Sequence, residues 1–313
     1  MSLGLLLHPR AVWARVRVVL DNTRFEQLEH RLHSRMVYDS LMAQALSCTE
    51  SGVSSEHYFD HEVIVSLTSY GRRIFDVAVA IESIMQGSVK PNRIVLWVAE
   101  DFQGKHLPVM LQKQMTRGLE VAFCKDTRSY KKLIPSLKKY PDAAIITVDD
   151  DMMYRLDFVE NLMAAHKANP DHIVAYRIHR ITLEGGRPQS YLKWAGCAQV
   201  DDDSPLNFFT SGGGVLYPAH CLASEVFDED VFMRICPHAD DVWFNAMALL
   251  KGTRAIQYKG KDLHGGNFIA VPQSAETPLC AINTTRKRDG TCENDAQLKA
   301  VFDRYNLWDK LLT

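Results

Sequence analysis

The chain has 313 residues, 46% of them hydrophobic and 24% charged, a balance that excludes a largely disordered protein and suits a globular α/β chain with a sizeable core. Its 36 basic and 38 acidic side chains leave a net charge of -2, so no overall positive field points to nucleic acid as a partner. Seven cysteines without a C-x-x-C pair argue against a zinc knuckle or a disulfide scaffold and fit a reducing, cytoplasmic setting, and neither an export signal nor a membrane-spanning apolar run is expected.

Residues 1–20 mix Leu5, Leu6, Leu7, Val12, Trp13, Val16, Val18, Val19 and Leu20 with Arg10, Arg15 and Arg17, and helix-forming sequence runs on to about Leu46. A basic amphipathic helix of this kind fits either peripheral contact with an anionic membrane surface or packing on the chain's own core. Residues 48–60 are polar and read as a linker. The expected division is therefore a helical extension and linker over 1–57 and one large domain over 58–313.

From residue 61 short apolar runs alternate with helix-period segments. Strand-like runs are expected at 62–70, 93–100, 119–126 and 143–151, and helices at 75–87, 107–118 and 131–140, where Pro135 falls early enough to be tolerated near the first turn. Strands apolar on both faces and joined by helical crossovers imply a mostly parallel sheet with helices on both sides, whose ligands bind beyond the carboxyl ends of the strands. After residue 151 the pattern loosens. LDFVENLMAAHKANP, ADDVWFNAMALLKG and the segment NDAQLKAVFDRYNLWDKLL read as helices, while HIVAYRI, GGVLYP and RAIQYKG read as strands continuing the same sheet.

The acidic run Asp149-Asp150-Asp151 follows the apolar AIITV directly. If the strand continues through it, Asp149 and Asp151 share one side and Asp150 faces the other. Two such carboxylates suit a hard divalent cation, Mn2+ or Mg2+, and the competing reading is a solvated turn capping the next helix. The second pair, Asp240-Asp241, opens a helix. It fits an N-cap and dipole partner, or a free carboxylate at a pocket edge that accepts a proton from a hydroxyl.

Ser211-Gly212-Gly213-Gly214 offers either a backbone that approaches a ligand closely or a loop-to-strand transition needing positive φ. It is neither a Walker loop nor a dinucleotide fingerprint. Thr68, Ser69, Tyr70, Arg72 and Arg73 follow the first strand, and Arg128, Ser129, Tyr130, Lys131 and Lys132 follow the third, both placed for a base, ribose or phosphates. His264 follows the last strand, as a structural residue or a metal ligand. In the irregular stretch 179–210, Trp194 reads as a sugar platform or as core, and Asp201-Asp202-Asp203 as a solvated turn.

The ordered set SLTSYGRR, RSYKKLIPSLKKYP, IITVDDDMMY, TSGGGVLYP, ADDVWFNAMALL and LHGG resembles the bacterial sugar-nucleotide-dependent glycosyltransferases of GT-A fold. It is most similar to the family 2-like group that builds cell-surface polysaccharide and lipopolysaccharide, over about residues 61–313. The resemblance implies a Rossmann-like, mostly parallel sheet and a nucleotide held by Thr68, Tyr70, Arg72 and Lys132, with Asp150 and Gly213 on the donor side. It implies Asp149 and Asp151 as ligands of Mn2+ or Mg2+ at the donor diphosphate, with His264 as a late ligand. Asp241 becomes the base, supported by Asp240.

The partners it implies are a nucleotide-sugar donor, UDP- or GDP-linked, and a glycan or lipid-linked saccharide acceptor, in the cytoplasm or peripherally on the inner membrane's cytoplasmic face. Two departures bear on this. The first-strand motif lacks the family's proline, and the acidic pair lacks the Q/R-x-x-R/W signature of processive synthases, which points to a non-processive enzyme. A sugar-phosphate nucleotidyltransferase, whose glycine-rich, arginine-containing loop is missing from SLTSYGRR, and a non-catalytic carbohydrate-binding member of the same fold stand as the other readings.

Overall fold

A computed structural model of the chain describes residues 9–259, 268–272 and 283–313. A long helix α1 (Pro9–Ser47) leads through an irregular segment into the β-α array: β1 (Val63–Thr68), α2 (Val77–Met85), β2 (Arg93–Ala99), α3 (Val109–Met115), β3 (Leu119–Cys124), α4 (Ile134–Lys139) and β4 (Ala144–Thr147). There follow β5 (Met152–Tyr154), α5 (Phe158–Ala168), β6 (Ile173–Ala175), β7 (Ile178–Arg180), β8 (Leu183–Glu184), β9 (Arg187–Pro188), β10 (Ala195–Ala198), β11 (Asn207–Phe209) and β12 (Val215–Tyr217). The remainder holds α6 (Glu229–Ile235), α7 (Asp240–Lys251), β13 (Ala255–Gln257), β14 (Phe268–Ala270) and the closing α8 (Glu293–Tyr305).

The main sheet has the order β13-β6-β12-β4-β1-β2-β3. Every pairing is parallel except those of β12, which runs antiparallel to both β4 and β6. The expected mostly parallel α/β sheet is therefore present, with one reversed strand that its three-residue length hides in the sequence. Both faces are covered. Ile64, Val95, Ile145 and Tyr217 pack on one side with α7 and α8, and Val63, Val65, Leu96 and Ile146 on the other with α2 and α5. Burial on both faces is what makes these strands read as continuous apolar runs.

The exception inside β1 is Ser66, which is fully buried. Its hydroxyl lies 2.6 Å from the Lys132 carbonyl and 2.7 Å from Ser136 Oγ, and Trp97 Nε1 donates to that same Ser136 Oγ at 2.7 Å. A polar group in a dry core must be hydrogen-bonded, and this one spends its bonds fastening the 3-10 turn Arg128–Lys132 under the sheet edge. Pro135 sits in the first turn of α4, as expected.

Two segments differ from expectation. Residues 48–60 carry no regular structure, yet they are tied down: Gly52 N–H donates to the Arg117 carbonyl, Arg117 Nε to the Glu50 carbonyl at 2.7 Å, and Arg117 Nη1 to both oxygens of the buried Glu82 at 2.9 and 2.8 Å. Leaving any of these buried groups unpaired would cost about 1–3 kcal/mol, so the segment is held as part of the body. In α1, Tyr38, Leu41 and Ala45 are buried, Tyr38 and Leu41 clustering with Val79, Met153 and Val271, while Phe25 and residues 28–33 are exposed. Packing on the core therefore holds for the C-terminal part of α1. Among the described residues no helix is long and apolar enough to cross a membrane.

A smaller antiparallel sheet, β10-β7-β11, carries the irregular stretch. Its β8–β9 hairpin turns through Gly185 and Gly186 at φ +59° and +78°, the backbone that a two-residue hairpin of this hand requires.

Candidate active site

In the main sheet the chain steps from β1 outward to β2 and β3 on one side and then crosses to β4 on the other, so the loops leaving the parallel neighbours β1 and β4 diverge at their carboxyl ends, where such sheets open a ligand crevice. The acidic run lies there. β4 ends at Thr147, and Asp150 and Asp151 occupy a turn, not the extended strand that the sequence suggested. The correction matters for Asp150. Its carboxylate accepts from Ser69 Oγ at 2.7 Å and from Arg73 Nη1 at 2.8 Å, and it is buried, so it latches the loop after β1 to the loop after β4. Arg73 Nη1 also lies 3.2 Å from Asp151 Oδ2.

Asp149 turns toward Lys132, whose Nζ is the hub of the site. That ammonium donates to Asp149 Oδ1 at 2.9 Å and Ser211 Oγ at 2.7 Å, and faces Asp240 Oδ2 at 3.1 Å. Burial alone would disfavour the lysine's charge, but Asp149, Asp240 and Asp241 outweigh it and raise its pKa well above the ordinary value. Burial also works against Asp149, and there Lys132 prevails and holds the carboxyl below the usual range. For Asp151, burial and then the Asp149 charge outweigh the nearby Arg73 and push its carboxyl up.

Asp240 and Asp241 form the first turn of α7 behind the N-cap residue Ala239, so neither caps the helix. Asp241 Oδ1 instead accepts from Ser211 N–H at 2.9 Å and from Ser211 Oγ at 2.7 Å. Burial, and then the neighbouring Asp240, raise its carboxyl, with Lys132 opposing. Ser211 thus bridges the lysine and the acidic pair, and it stands at the head of the glycine run.

Within that run the demand for glycine falls on Gly212 and Gly214. A Cβ on Gly212 would lie 2.5 Å from Arg177 Nη2 and 3.1 Å from Asp149 Oδ2, so its absence lets the guanidinium approach the carboxylate. Gly214 has φ +92°, and a Cβ there would meet the Phe158 ring at 2.4 Å. Gly213, the expected donor-side residue, lies buried between them in the 3-10 turn Ser211–Gly213.

The remaining expected residues spread around this centre. Thr68 Oγ1 donates to the Trp97 carbonyl at 2.8 Å, so its hydroxyl serves the sheet. Tyr70 and Arg72 are exposed on the 3-10 turn after β1, with the Arg73 guanidinium 5.4 Å from the Tyr70 ring centroid. Trp194 is buried, its Nε1 donating to the Gln189 carbonyl at 2.9 Å, so it is core and no sugar platform. Asp201, Asp202 and Asp203 are exposed as expected, with Asp201 paired to Lys259 and Asp202 to Arg180. His264 lies outside the described residues.

Sequence reasoning missed Arg177. It stands two residues past β6, at the carboxyl end of a central strand, where its Nε donates to Thr210 Oγ1 at 2.5 Å and its charge lowers Asp149. The strand-end rule applied to HIVAYR would have found it. Tyr191, in the irregular stretch expected to face the acceptor, is half-buried against Trp194 and Phe208, and burial, then the Asp241 charge, raise its phenol well above the ordinary range.

No protein-family model matches the chain, and no curated protein does. Among solved structures, S. aureus TarS 1-349 is similar at 15% identity and a TM-score of 0.47, over 67% of this chain and 60% of that one. The mannosyltransferase PcManGT from Pyrobaculum calidifontis, in complex with GDP-Man and Mn2+, is similar at 11% identity and a TM-score of 0.37, over 74% of this chain and 64% of that one. A CMP:2-keto-3-deoxy-manno-octonic acid synthetase complexed with CTP is similar at 10% identity and a TM-score of 0.36, over 64% and 90%. None of the three reaches 0.5.

Proposed function

We propose that this chain is a glycosyltransferase that moves a sugar from a nucleotide-sugar donor to a hydroxyl of a glycan or lipid-linked saccharide, inverting the anomeric centre and acting non-processively. One observation carries the reading. At the crevice between β1 and β4, four separate chain segments bring together Lys132, Asp149, Ser211 and the pair Asp240-Asp241, with Asp151 two residues beyond Asp149.

The donor set fits a hard divalent cation, Mn2+ or Mg2+. Among the described residues, five carboxylates, Asp149 to Asp151 with Asp240 and Asp241, gather around the cations Lys132, Arg73 and Arg177, and the Asp149 charge contributes to raising Asp151. Among the described residues no set of three ligating side chains is preassembled. Asp149 and Asp151 would hold the ion together with phosphate and water oxygens, the habit of Mg2+. An ion held there would supply positive charge to offset that of a departing nucleoside diphosphate.

The chain's own groups supply the rest. Exposed Tyr70 and Arg72 offer a ring face and a cation to base, ribose or phosphate at the rim. Ser211 fixes one oxygen of Asp241, and the other takes the proton of the acceptor hydroxyl as it attacks from the face opposite the leaving group. Asp240 and Lys132 hold that carboxylate in a charged, pre-oriented setting. The basic first twenty residues, with Arg10, Arg15 and Arg17 and no acidic side chain, suit contact with an anionic lipid surface, where a lipid-linked acceptor would reside.

The test is nucleotide release from UDP-, GDP-, CMP- and dTDP-sugars, with Mn2+ or with chelator, in the presence and absence of acceptor glycolipid. Release from one donor, abolished by chelation and by Asp151→Ala, is expected. Asp241→Asn should lower kcat about 10²- to 10⁴-fold while leaving the donor Kd nearly unchanged. A retained anomeric configuration removes Asp241 from the base role. Failure of every donor to bind overturns the enzyme reading.

A further inference from the structure

At the amino edge of the sheet, away from the acidic crevice, His61 just ahead of β1 and His166 in the last turn of α5 bring their Nε2 atoms to 3.3 Å. The rings meet nearly at right angles, with centroids 5.4 Å apart and planes at 67°. Phe59 stacks on His61 at 5.0 Å and lies 5.2 Å from His166, so apolar packing fixes both imidazoles. His61 Nδ1 lies 2.8 Å from Asp60 Oδ1, an acceptor that favours the tautomer with hydrogen on Nδ1 and the lone pair on Nε2, toward His166.

Two imidazole nitrogens bound about 2.0–2.1 Å from one tetrahedral ion stand about 3.3 Å apart. A carboxylate on the far nitrogen of a ligating histidine is the usual outer-sphere partner of such a site. We propose that His61 and His166 form a site for a divalent transition cation of the zinc class, with both Nε2 atoms as ligands, Asp60 supporting His61, and water completing the coordination. Neutral imidazoles favour Zn2+, Ni2+ or Cu2+ over Mg2+, so this site selects differently from the carboxylates at the other edge. Its ion would tie the segment ahead of β1 to α5, two elements that already meet through Phe59 and the imidazole pair. With only two protein ligands, its affinity is micromolar and not that of a closed structural site.

The site is tested on the full chain, in chelator-free buffer near neutral pH, by calorimetric titration with Zn2+ and by the visible absorption of Co2+, whose intensity reports tetrahedral coordination. One equivalent of tetrahedral Co2+ absorption is expected, displaced by Zn2+ and weakened about tenfold or more in His61→Asn and in His166→Asn. His61 is partly exposed, so its variant keeps the test valid should the buried His166 variant misfold. Equal Zn2+ binding by His61→Asn, or no binding by the parent chain up to about 0.1 mM ion, overturns the site and leaves an imidazole–imidazole hydrogen bond. Either result is independent of donor turnover.

Discussion

Lys132 has little access to solvent and three carboxylates around it, and its own backbone carbonyl accepts from Ser66 in the middle of β1. A cation so placed holds together groups that would otherwise repel. Lys132→Met keeps the volume and removes the charge, leaving Asp149, Asp240 and Asp241 uncompensated. Breaking a buried pair on one side costs about 3–5 kcal/mol. Denaturant unfolding of the variant at neutral pH should show a loss of that order, smaller in mild acid as the carboxylates protonate. A loss under about 1 kcal/mol would mean the carboxylates find other partners. A second residue-scale effect belongs to His179. Its Nδ1 accepts the Cys197 N–H at 2.8 Å, and burial, then Arg177, lower it to about 4. The unfolded chain binds this proton from about pH 6.5 downward and the folded chain does not, so stability is full above pH 6.5 and falls as pH drops toward 4. With a discount for partial exposure, the parent should lose about 1–2 kcal/mol between pH 7 and pH 5 that His179→Gln does not lose.

Helix α8 shows how elements distant in sequence build one wall of the crevice. Asp295 in its first turn accepts from Cys292 N–H at 2.8 Å, closing a capping box, and also from Ser190 Oγ at 2.8 Å and Tyr191 N–H at 2.6 Å. Two residues on, Gln297 Oε1 accepts the His238 N–H at 2.9 Å, just ahead of the acidic pair on α7. The closing helix therefore pins both the segment bearing Tyr191 and the loop that delivers Asp241. Asp295→Ala should cost about 1–2 kcal/mol as a lost cap and, on the proposed function, raise the acceptor KM while leaving the donor Kd unchanged. A rise in the donor Kd instead would place Tyr191 on the donor side. This wall was not legible in the sequence, because its contacts join residues 59 to 105 positions apart and carry no local period. The β-α repeat before residue 148 was legible, because doubly buried strands must be apolar throughout. Beyond it, strands of two to four residues such as β8, β9 and β12 are too short to show alternation, and the reversal of β12 is set by tertiary pairing. For the site, residue types and strand ends were readable, since carboxylates and lysines stand out after apolar runs. Their roles were not, since only the turn at 150–151 shows that Asp150 latches loops while Asp149 meets the lysine.

Taken whole, the molecule is a sheet with a charged crevice at one edge, an imidazole pair at the other, and a helix of 39 residues whose C-terminal part packs on the body. Tyr38, Leu41 and Ala45 line one side of that helix and are buried, and Ser34 Oγ donates to the Ala270 carbonyl at 3.1 Å. Phe25, Leu28, Leu32 and Met36 recur at three- and four-residue steps and are 68%, 51%, 57% and 71% exposed, on the side turned away from the body. The two faces predict two separable losses. Removing residues 1–33 deletes no buried contact among the described side chains and should leave the unfolding midpoint within about 2 °C of the parent, whereas removing 1–47 uncovers Val79, Met153 and Val271 and should destabilise by several kcal/mol. Vesicle co-sedimentation then reads the outer face. The parent should pellet with anionic vesicles at low salt, release as salt rises, and fail to pellet with neutral vesicles, because basic side chains supply attraction and apolar ones insertion. The 1–33 truncation should lose this binding while keeping nucleotide release from a soluble donor. If the truncation instead binds vesicles as the parent does, the lipid contact lies on the catalytic body, and the outer face of α1 has some other partner.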